Sequence, residues 1–487
     1  MSAKRVNKVP FYTKMGYGVG ALSYGIPFQM LSGFLVFYAN SVLGISGFLT
    51  GILISVSIIW DAVTDPAMGY ISDKTSPRVL FGRRLFYVMI GAIGIAITNY
   101  LLWNIDPALS QVLKAAFLGL LLLLLKTFST VYTTPYLALG SELSTDYIER
   151  TSVQSFRTAF FFLGFLFPSL LGIGVFFRST PEFANGLMNP QAYSNLGLTS
   201  SIVVLVCAVL CIIFTNKKSL YPSAVKTQKS NLKGMLKETG FALKNNDFRN
   251  ISLTLLFVNM AMAIVGAVGI QMFTYTFGFD NGQLAVVLGV VFATALVSQP
   301  VWVMLAGKFE KRSALKACLI IDLIVSVAFL IYAFNEAWVM ENYLAVVPLS
   351  IVMGFSMGGS IALPYAMISD TIDKDHYFTG VRKEGVFYGS ATFMYKLSQA
   401  VSFLFVGSML DLIGFNAEAV QSAKIYRQVG LIMPLSLLVC FVIAMIFTYL
   451  YKLDRDKVDL YQQRISRGEF ENAPASLQDN PQDYPDR

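Results

Sequence analysis

Two carboxylates stand four residues apart in a stretch that otherwise reads as a membrane helix, Trp60-Asp61-Ala62-Val63-Thr64-Asp65-Pro66-Ala67-Met68-Gly69-Tyr70-Ile71. That spacing puts Asp61 and Asp65 on one helix face. A charge at bilayer depth is costly unless it faces a cavity and finds a partner, so such residues are functional candidates. Two like charges on one face repel unless a cation sits between them or a proton neutralises one. The bland alternative is a helix-packing pair or salt bridge. The chemistry favoured is binding of a monovalent cation, Na+ or H+, since oxygen ligands suit a hard ion. Thr64, with Thr130 and Thr133 of the fourth apolar span, can add neutral oxygens. Pro66 removes a backbone donor and can free a carbonyl.

Lys396 lies about ten residues into the eleventh span, roughly 15 Å from its start. Snorkelling from that depth is difficult. A cavity-facing lysine that pairs with Asp61 or Asp65 when the cation is absent is expected. Arg157, in Gln154-Ser155-Phe156-Arg157, is either an interface arginine or a donor fork for substrate hydroxyls, a carboxylate or a phosphate. Tyr24, Pro27 and Gln29, with Gly18, Gly20 and Gly25, make the first span an interrupted, glycine-rich helix. Such glycines commonly mark close packing, while Gln29 beside aromatics can line a polar cavity. Tyr136, in Thr134-Pro135-Tyr136, joins the substrate-binding candidates. Asp73 and Arg83 on one side, and Asp370, Asp373, Arg382 and Glu384 around the ten-to-eleven loop, are expected to form an ion-pair latch between halves. His376, the only histidine, is expected to be solvated in that loop.

The elements that must position these residues follow from composition. The 487 residues are 55% hydrophobic and only 14% charged, with a mean hydropathy of +0.60. A soluble protein is nearer a quarter charged. Apolar stretches of the roughly 20 residues needed to cross a bilayer fall at 11–41, 46–73, 84–104, 110–142, 151–178, 197–215, 250–277, 283–306, 314–335, 343–370, 386–413 and 428–451. The fold class expected is an all-α membrane protein of twelve transmembrane helices. The net charge of +8 does not point to nucleic acid, because the basic residues cluster between spans. Residues 216–250 hold eight Lys/Arg against two acids. Within them, Leu232 to Asn245 is expected to form a short amphipathic surface helix. Basic loops alternate with nearly uncharged ones, which places both termini in the cytoplasm. No signal-peptide cleavage site is visible. The cysteines Cys207, Cys211, Cys318 and Cys440 all lie in apolar spans, so disulfides and zinc sites are not expected.

The halves echo each other. Pro66 precedes Lys74 as Pro300 precedes Lys308; Thr134-Pro135-Tyr136 with Ser141-Glu142 matches Leu363-Pro364-Tyr365 with Ser369-Asp370; Arg157 matches Lys396. This supports a parallel six-plus-six duplication of the major facilitator kind: an N-terminal bundle over 1–215, a basic linker over 216–249, a C-terminal bundle over 250–451 and a cytoplasmic tail over 452–487. The tail is expected to be helical first and disordered at its end.

Across nearly all twelve spans the chain resembles the glycoside–pentoside–hexuronide cation symporters, the melibiose-permease-like branch of the major facilitator superfamily. The most specific pieces are Trp60 to Pro66, Pro135-Tyr136 leading to Arg150 and Arg157, and Asp370 to Lys396 with Thr379-Gly380-Val381-Arg382-Lys383-Glu384-Gly385. The resemblance implies that Asp61 and Asp65 bind the coupling cation, that Arg157 helps hold substrate, and that Lys396 links the two sites. The carboxylates that grip galactosides in that branch are replaced here by Gly25 and Thr133, and a tryptophan by Leu137. The chain is also similar to the sodium-dependent lysophosphatidylcholine symporters in Pro27-x-Gln29, Thr64 between the aspartates, Pro135-Tyr136-x-Ala138-Leu139, Glu149-Arg150 and Lys396.

The expectation is therefore a monomeric, multi-pass plasma (inner) membrane symporter without a resident cofactor, coupling Na+ or H+ to a sugar or glycoside, or alternatively to a lysophospholipid or other amphiphile. Its other partners are membrane lipids. An intramembrane enzyme would need a nucleophile–base pair or metal cluster, and no span carries one in sequence. A sensor would tend to add a soluble domain, and uncoupled facilitated diffusion would not need the aspartates.

Overall fold

The computed structural model describes residues 9–75, 80–144, 147–216, 240, 242–380, 382–416 and 422–470, and within these not the side chains of Asp73, Ser141, Tyr147, Ile148, Arg150 and Thr151. Most of the basic linker, most of the surface helix expected at Leu232 to Asn245, and the tail beyond residue 470 thus lie outside the described residues. Every regular element among those described is helical. Among the described residues twelve helices are long and apolar enough to span a membrane: α1 (Phe11–Val42), α2 (Gly47–Ser72), α3 (Arg83–Leu102), α4 (Gln111–Gly140), α5 (Ser152–Phe176), α6 (Pro190–Thr215), α7 (Asn246–Thr276), α8 (Asn281–Phe309), α9 (Lys311–Phe334), α10 (Tyr343–Thr379), α11 (Glu384–Leu412) and α12 (Ala423–Leu450). The tail opens with a further helix, α13 (Arg455–Ser466), capped by the Asp454 carboxylate on Lys457 N.

Two spans differ from the sequence expectation. α6 starts at Pro190 rather than 197, because Asn189 caps Gln191 N at 3.0 Å and Pro190 takes the first helical position. A polar first turn hid this start from hydropathy. α10 runs on to Thr379 and stops at Gly380, whose φ of +67° suits glycine. Asp373 and His376 accordingly stand on a helix, not in a loop. His376 is half-buried against the Phe470 ring, at 5.3 Å between centroids, with its Nδ1 buried. The hydropathy pattern missed this extension because amphipathic helix replaces apolar helix there.

The chain divides into two compact units. One comprises Met1–Lys229, Phe279–Gly289 and Leu404–Ser422; the other comprises Ser230–Gly278, Val290–Phe403 and Ala423–Arg487. A local signature repeats in the two. α1 and α7 each end in a π-helical turn, Tyr38–Val42 and Met272–Thr276, closed by Leu43 N to Tyr38 O (3.0 Å) and Phe277 N to Met272 O (3.2 Å). Gly44 (φ +65°) and Gly278 (φ +63°) then turn the chain.

In the first unit the α3–α4 seam is dry and close. Gly91 and Gly94 of α3 receive Tyr132 and Phe128 of α4, and a Cβ at either glycine would collide with them. This leaves the opposite face of α4, bearing Thr127, Thr130 and Thr134 at helical spacing, to meet α2.

Candidate functional site

That polar face of α4 and the carboxylate face of α2 form a ladder. Trp60 Nε1 donates to Thr127 Oγ1 at 2.9 Å, and Thr134 packs against Gly69 further along. Between them, the Thr130 hydroxyl lies 2.8 Å from Asp61 Oδ1 and 3.0 Å from Asp65 Oδ1, and Thr64 Oγ1 stands 3.4 Å from it. Thr130 is buried, whereas Thr64 and both aspartates are half-buried.

One hydroxyl has one proton to give. It faces two carboxylates. Four oxygens gather here: one from each aspartate and the hydroxyls of Thr64 and Thr130. Among the described residues no three His, Cys, Asp or Glu side chains gather as a metal cluster. The mixed carboxylate–hydroxyl set suits a monovalent ion. Thr133, expected beside Thr130, makes no described hydrogen bond to either carboxylate. Thr127 was missed by sequence reasoning, although its position three residues before Thr130 was a usable signal.

The second cluster in this unit grows from a defect in α1. At Ala21 the helix tightens: Ala21 N donates to Gly18 O, and Tyr24 N donates to Ala21 O. This releases the carbonyls of Tyr17 and Gly20 from their usual partners four residues on. Two α4 tyrosines take them, Tyr136 Oη donating to Tyr17 O at 2.5 Å and Tyr132 Oη to Gly20 O at 2.7 Å. Tyr136 is fully buried and stacks on Tyr17 at 4.6 Å. Its hydroxyl is therefore engaged by the backbone. Tyr24, just past the defect, stacks on Phe161 at 5.0 Å and lies beside the Arg157 guanidinium. Arg157 Nε is buried and has no hydrogen-bond partner among the described residues. Phe28, Phe161, Phe162 and Phe165 continue the aromatic wall. Gln29 is buried on α1, its amide near Gly33.

The remaining candidates are placed as follows. Lys396 is half-buried on α11, within the second unit. Arg83 Nη2 pairs with Glu142 at 3.0 Å, and Arg84 shares that carboxylate at 3.0 Å. Asp370 pairs with Lys311 at 2.6 Å; Arg382 pairs with Asp373 at 3.4 Å and with Glu384 at 2.6 Å. Each of these pairs closes within one unit. The Asp73 side chain lies outside the described set.

A family model for MFS/sugar transport proteins matches residues 16–455. The chain belongs to that family. A putative glycoside/cation symporter, YagG of Escherichia coli (strain K12), is 25% identical over 94% of this chain and 96% of its own length. The sodium-dependent lysophosphatidylcholine symporter 1-A of Danio rerio is 23% identical over 95% of this chain and 89% of its own length. Among solved structures, a D-xylose-proton symporter superposes with a TM-score of 0.60 at 14% identity, covering 88% of this chain and 97% of that one. The fold is thus the major facilitator fold, and the protein is a multi-pass membrane transport protein rather than an enzyme. Cation symport is named for both relatives.

Proposed function

We propose that the protein is a secondary active symporter that couples Na+ or H+ to uptake of a sugar or glycoside by alternating access. The observation that carries this is the gathering of Asp61, Asp65, Thr64 and Thr130 oxygens on facing sides of α2 and α4. One monovalent cation would bind there, with Thr64 completing the set. Its inward movement would gain about 2.3 kcal/mol per 100 mV of membrane potential. Binding of cation and substrate would each favour the other by the same factor.

On the substrate side, Arg157 offers a donor fork beside the Tyr24–Phe161 stack. A guanidinium next to an aromatic face fits a sugar ring with hydroxyls at its edge. The relation to a glycoside/cation symporter supports this class. A second substrate class is favoured by a specific feature, the run of Phe28, Phe161, Phe162 and Phe165 that extends the wall away from Arg157. An anionic head at Arg157 with an acyl chain along the phenylalanines would suit a lysophospholipid, the cargo named for the Danio rerio relative. Both termini are proposed to be cytoplasmic, from the basic-loop pattern.

The test is uptake into proteoliposomes of sugars, glycosides and lysophospholipids under imposed Na+ or H+ gradients. Glycoside accumulation driven by one gradient, and lost in Asp61→Asn, is the expected result and names the ion. Lysolipid accumulation would transfer the chain to the second class. Accumulation that ignores both gradients would overturn coupling.

A further inference from the structure

The second unit holds a carboxylate that nothing above uses. Asp322 sits halfway along α9, about 16 Å from its first residue, and is 3% exposed. From α10, Ser356 Oγ lies 2.5 Å from Asp322 Oδ1 and Ser360 Oγ 2.6 Å from Oδ2. The two serines are four residues apart and so present their hydroxyls from one face. Among the described residues Asp322 has no ion pair.

Among the described residues, the elements packed on α9 bring no charge to this carboxylate. On α9 itself the Cys318 thiol lies one turn before, packed on Gly359, and the ammonium of Lys316 is turned to the Tyr449 ring at 4.1 Å. On α10 the ionisable residues after Ser360 are Tyr365 and then Asp370 onwards, the latter about 15 Å along the helix. α12, also packed on α9, has Lys424, Tyr426 and Arg427 in its first turn or so and thereafter only Cys440 and Tyr449. α8 brings Lys308 alone, near its end. An unpaired carboxylate at such a place costs several kcal/mol if ionised.

The hydrogen-bond geometry supplies an independent argument. Ser356 Oγ is also 3.0 Å from Met353 O. One hydroxyl proton cannot serve both Met353 O and an ionised Asp322. With a proton on Asp322, every contact closes: Oδ1–H donates to Ser356 Oγ, Ser356 donates to Met353 O, and Ser360 donates to Oδ2.

A cavity of about 350 Å³ in the same unit is lined by Trp302, Ala306, Leu363, Asp370, Tyr451 and Gln462, among others. That is room for about ten waters. Trp302 lines this cavity on one side and abuts Gly359, the neighbour of Ser360, on the other, and its Nε1 donates to Phe355 O at 2.6 Å.

We propose that Asp322, with Ser356 and Ser360, is a proton-binding site separate from the Asp61–Asp65 pair, and that it exchanges its proton with the water of this cavity past Trp302. On release the proton passes to a cavity water as hydronium. The carboxylate left behind is then held by both serine hydroxyls, and Ser356 gives up Met353 O. Transport would consequently respond to pH on the side to which the cavity opens, even with Na+ as the coupling ion.

Infrared difference spectroscopy of the full chain in lipid vesicles, taken between two pH values, tests this directly. The wild type should show a carboxylic-acid C=O band that disappears in Asp322→Asn and persists in Asp61→Asn/Asp65→Asn. An Asp322→Asn spectrum that retains every carboxylic-acid band of the wild type overturns the proposal. Should Asp322→Asn fold poorly, Ser360→Ala removes one hydrogen bond and must shift the same band; an unmoved band is equally fatal. In D2O the band should exchange faster in Trp302→Ala than in the wild type, and an unchanged rate overturns the route.

Discussion

The α2–α4 seam of the first unit and its counterpart in the second, α8–α10, are built on one pattern and filled oppositely. Aligned on Pro66 and Pro300, Asp61 corresponds to Ala295, Thr64 to Ser298 and Asp65 to Gln299; aligned on Pro135 and Pro364, Thr130 corresponds to Gly359. Where the first unit gathers carboxylates and a hydroxyl, the second seats the Trp302 ring on Gly359. The neighbouring seam reverses the assignment. Aligned on Arg84 and Arg312, Asp322 corresponds to Gly94, which the Phe128 ring fills. Each unit thus closes one seam of its fourth helix with an aromatic on glycine and opens the other to a carboxylate. The difference teaches that duplication supplies the scaffold, while a glycine–aromatic exchange decides which seam stays polar.

The largest effect on transport should come from Asp61→Asn/Asp65→Asn. Loss of the cation's contribution removes a coupling free energy of about 1–3 kcal/mol, a 5–150-fold factor in substrate affinity, and gradient-driven accumulation with it. Substrate binding measured with and without the ion should become equal; a persisting ion dependence would break the assignment of coupling to the first unit.

The matched ion pairs offer a second test. Glu142 accepts from both Arg83 and Arg84, and Arg84 has only 5% of its side chain exposed, whereas Lys311 opposite Asp370 is 39% exposed. Glu142→Gln takes a shared carboxylate from a buried cation and should cost about 3–5 kcal/mol of stability. Asp370→Asn should cost about 0–1 kcal/mol, as near-surface pairs do. Thermal unfolding in detergent compares them, and equal losses would show the two pairs to be alike in burial.

Thr130→Val removes the hydroxyl from between the carboxylates. Hydrogen bonds to charged groups contribute about 1.5–3 kcal/mol, so cation affinity should fall roughly 10–100-fold by ion titration of uptake. Thr130→Ser should restore most of it. In the second unit, Gly359→Ala should lower stability without altering ion dependence, because Trp302 and Cys318 leave no room for a Cβ.

The smallest expected effect concerns Glu336, which precedes α10 on a short helix and takes Arg427 at 2.5 Å. Partial burial pushes its carboxyl up, but the Arg427 hydrogen bonds outweigh this and hold it below the ordinary glutamate range. A lowered folded value means the contribution is present above the unfolded value and is lost as pH falls through the folded one. The difference in unfolding temperature between wild type and Glu336→Gln should therefore shrink on acidification and not on alkalinisation.

Much of this was legible in the residues alone. Hydropathy located twelve spans, and their cores coincide with the helices observed, because crossing a bilayer requires a continuous apolar run whatever its neighbours are. Where polar residues entered a helix, at Pro190 to Asn195 and from Asp370 to Thr379, hydropathy placed the ends wrongly. The Asp61–Thr64–Asp65 face was readable because helical spacing is local. Thr130 was nameable as an oxygen donor, but its position between both carboxylates was not, since that depends on the rotation of α4 set by Phe128 and Tyr132 in the glycines of α3.

Asp322 marks the boundary most clearly. It interrupts an apolar run just as Asp61 does, yet sequence analysis assigned it nothing, since its partners Ser356 and Ser360 lie 34 and 38 residues away. Tyr136 was read as a substrate contact because nothing local shows that the α1 defect at Ala21 claims its hydroxyl. The sequence by itself determined the membrane class, the number of spans and the face that carries the carboxylate pair, all of which follow from composition and helical period. Tertiary structure alone decided which hydroxyls meet which carboxylates, because glycine–aromatic packing sets the rotation of each helix against its neighbour.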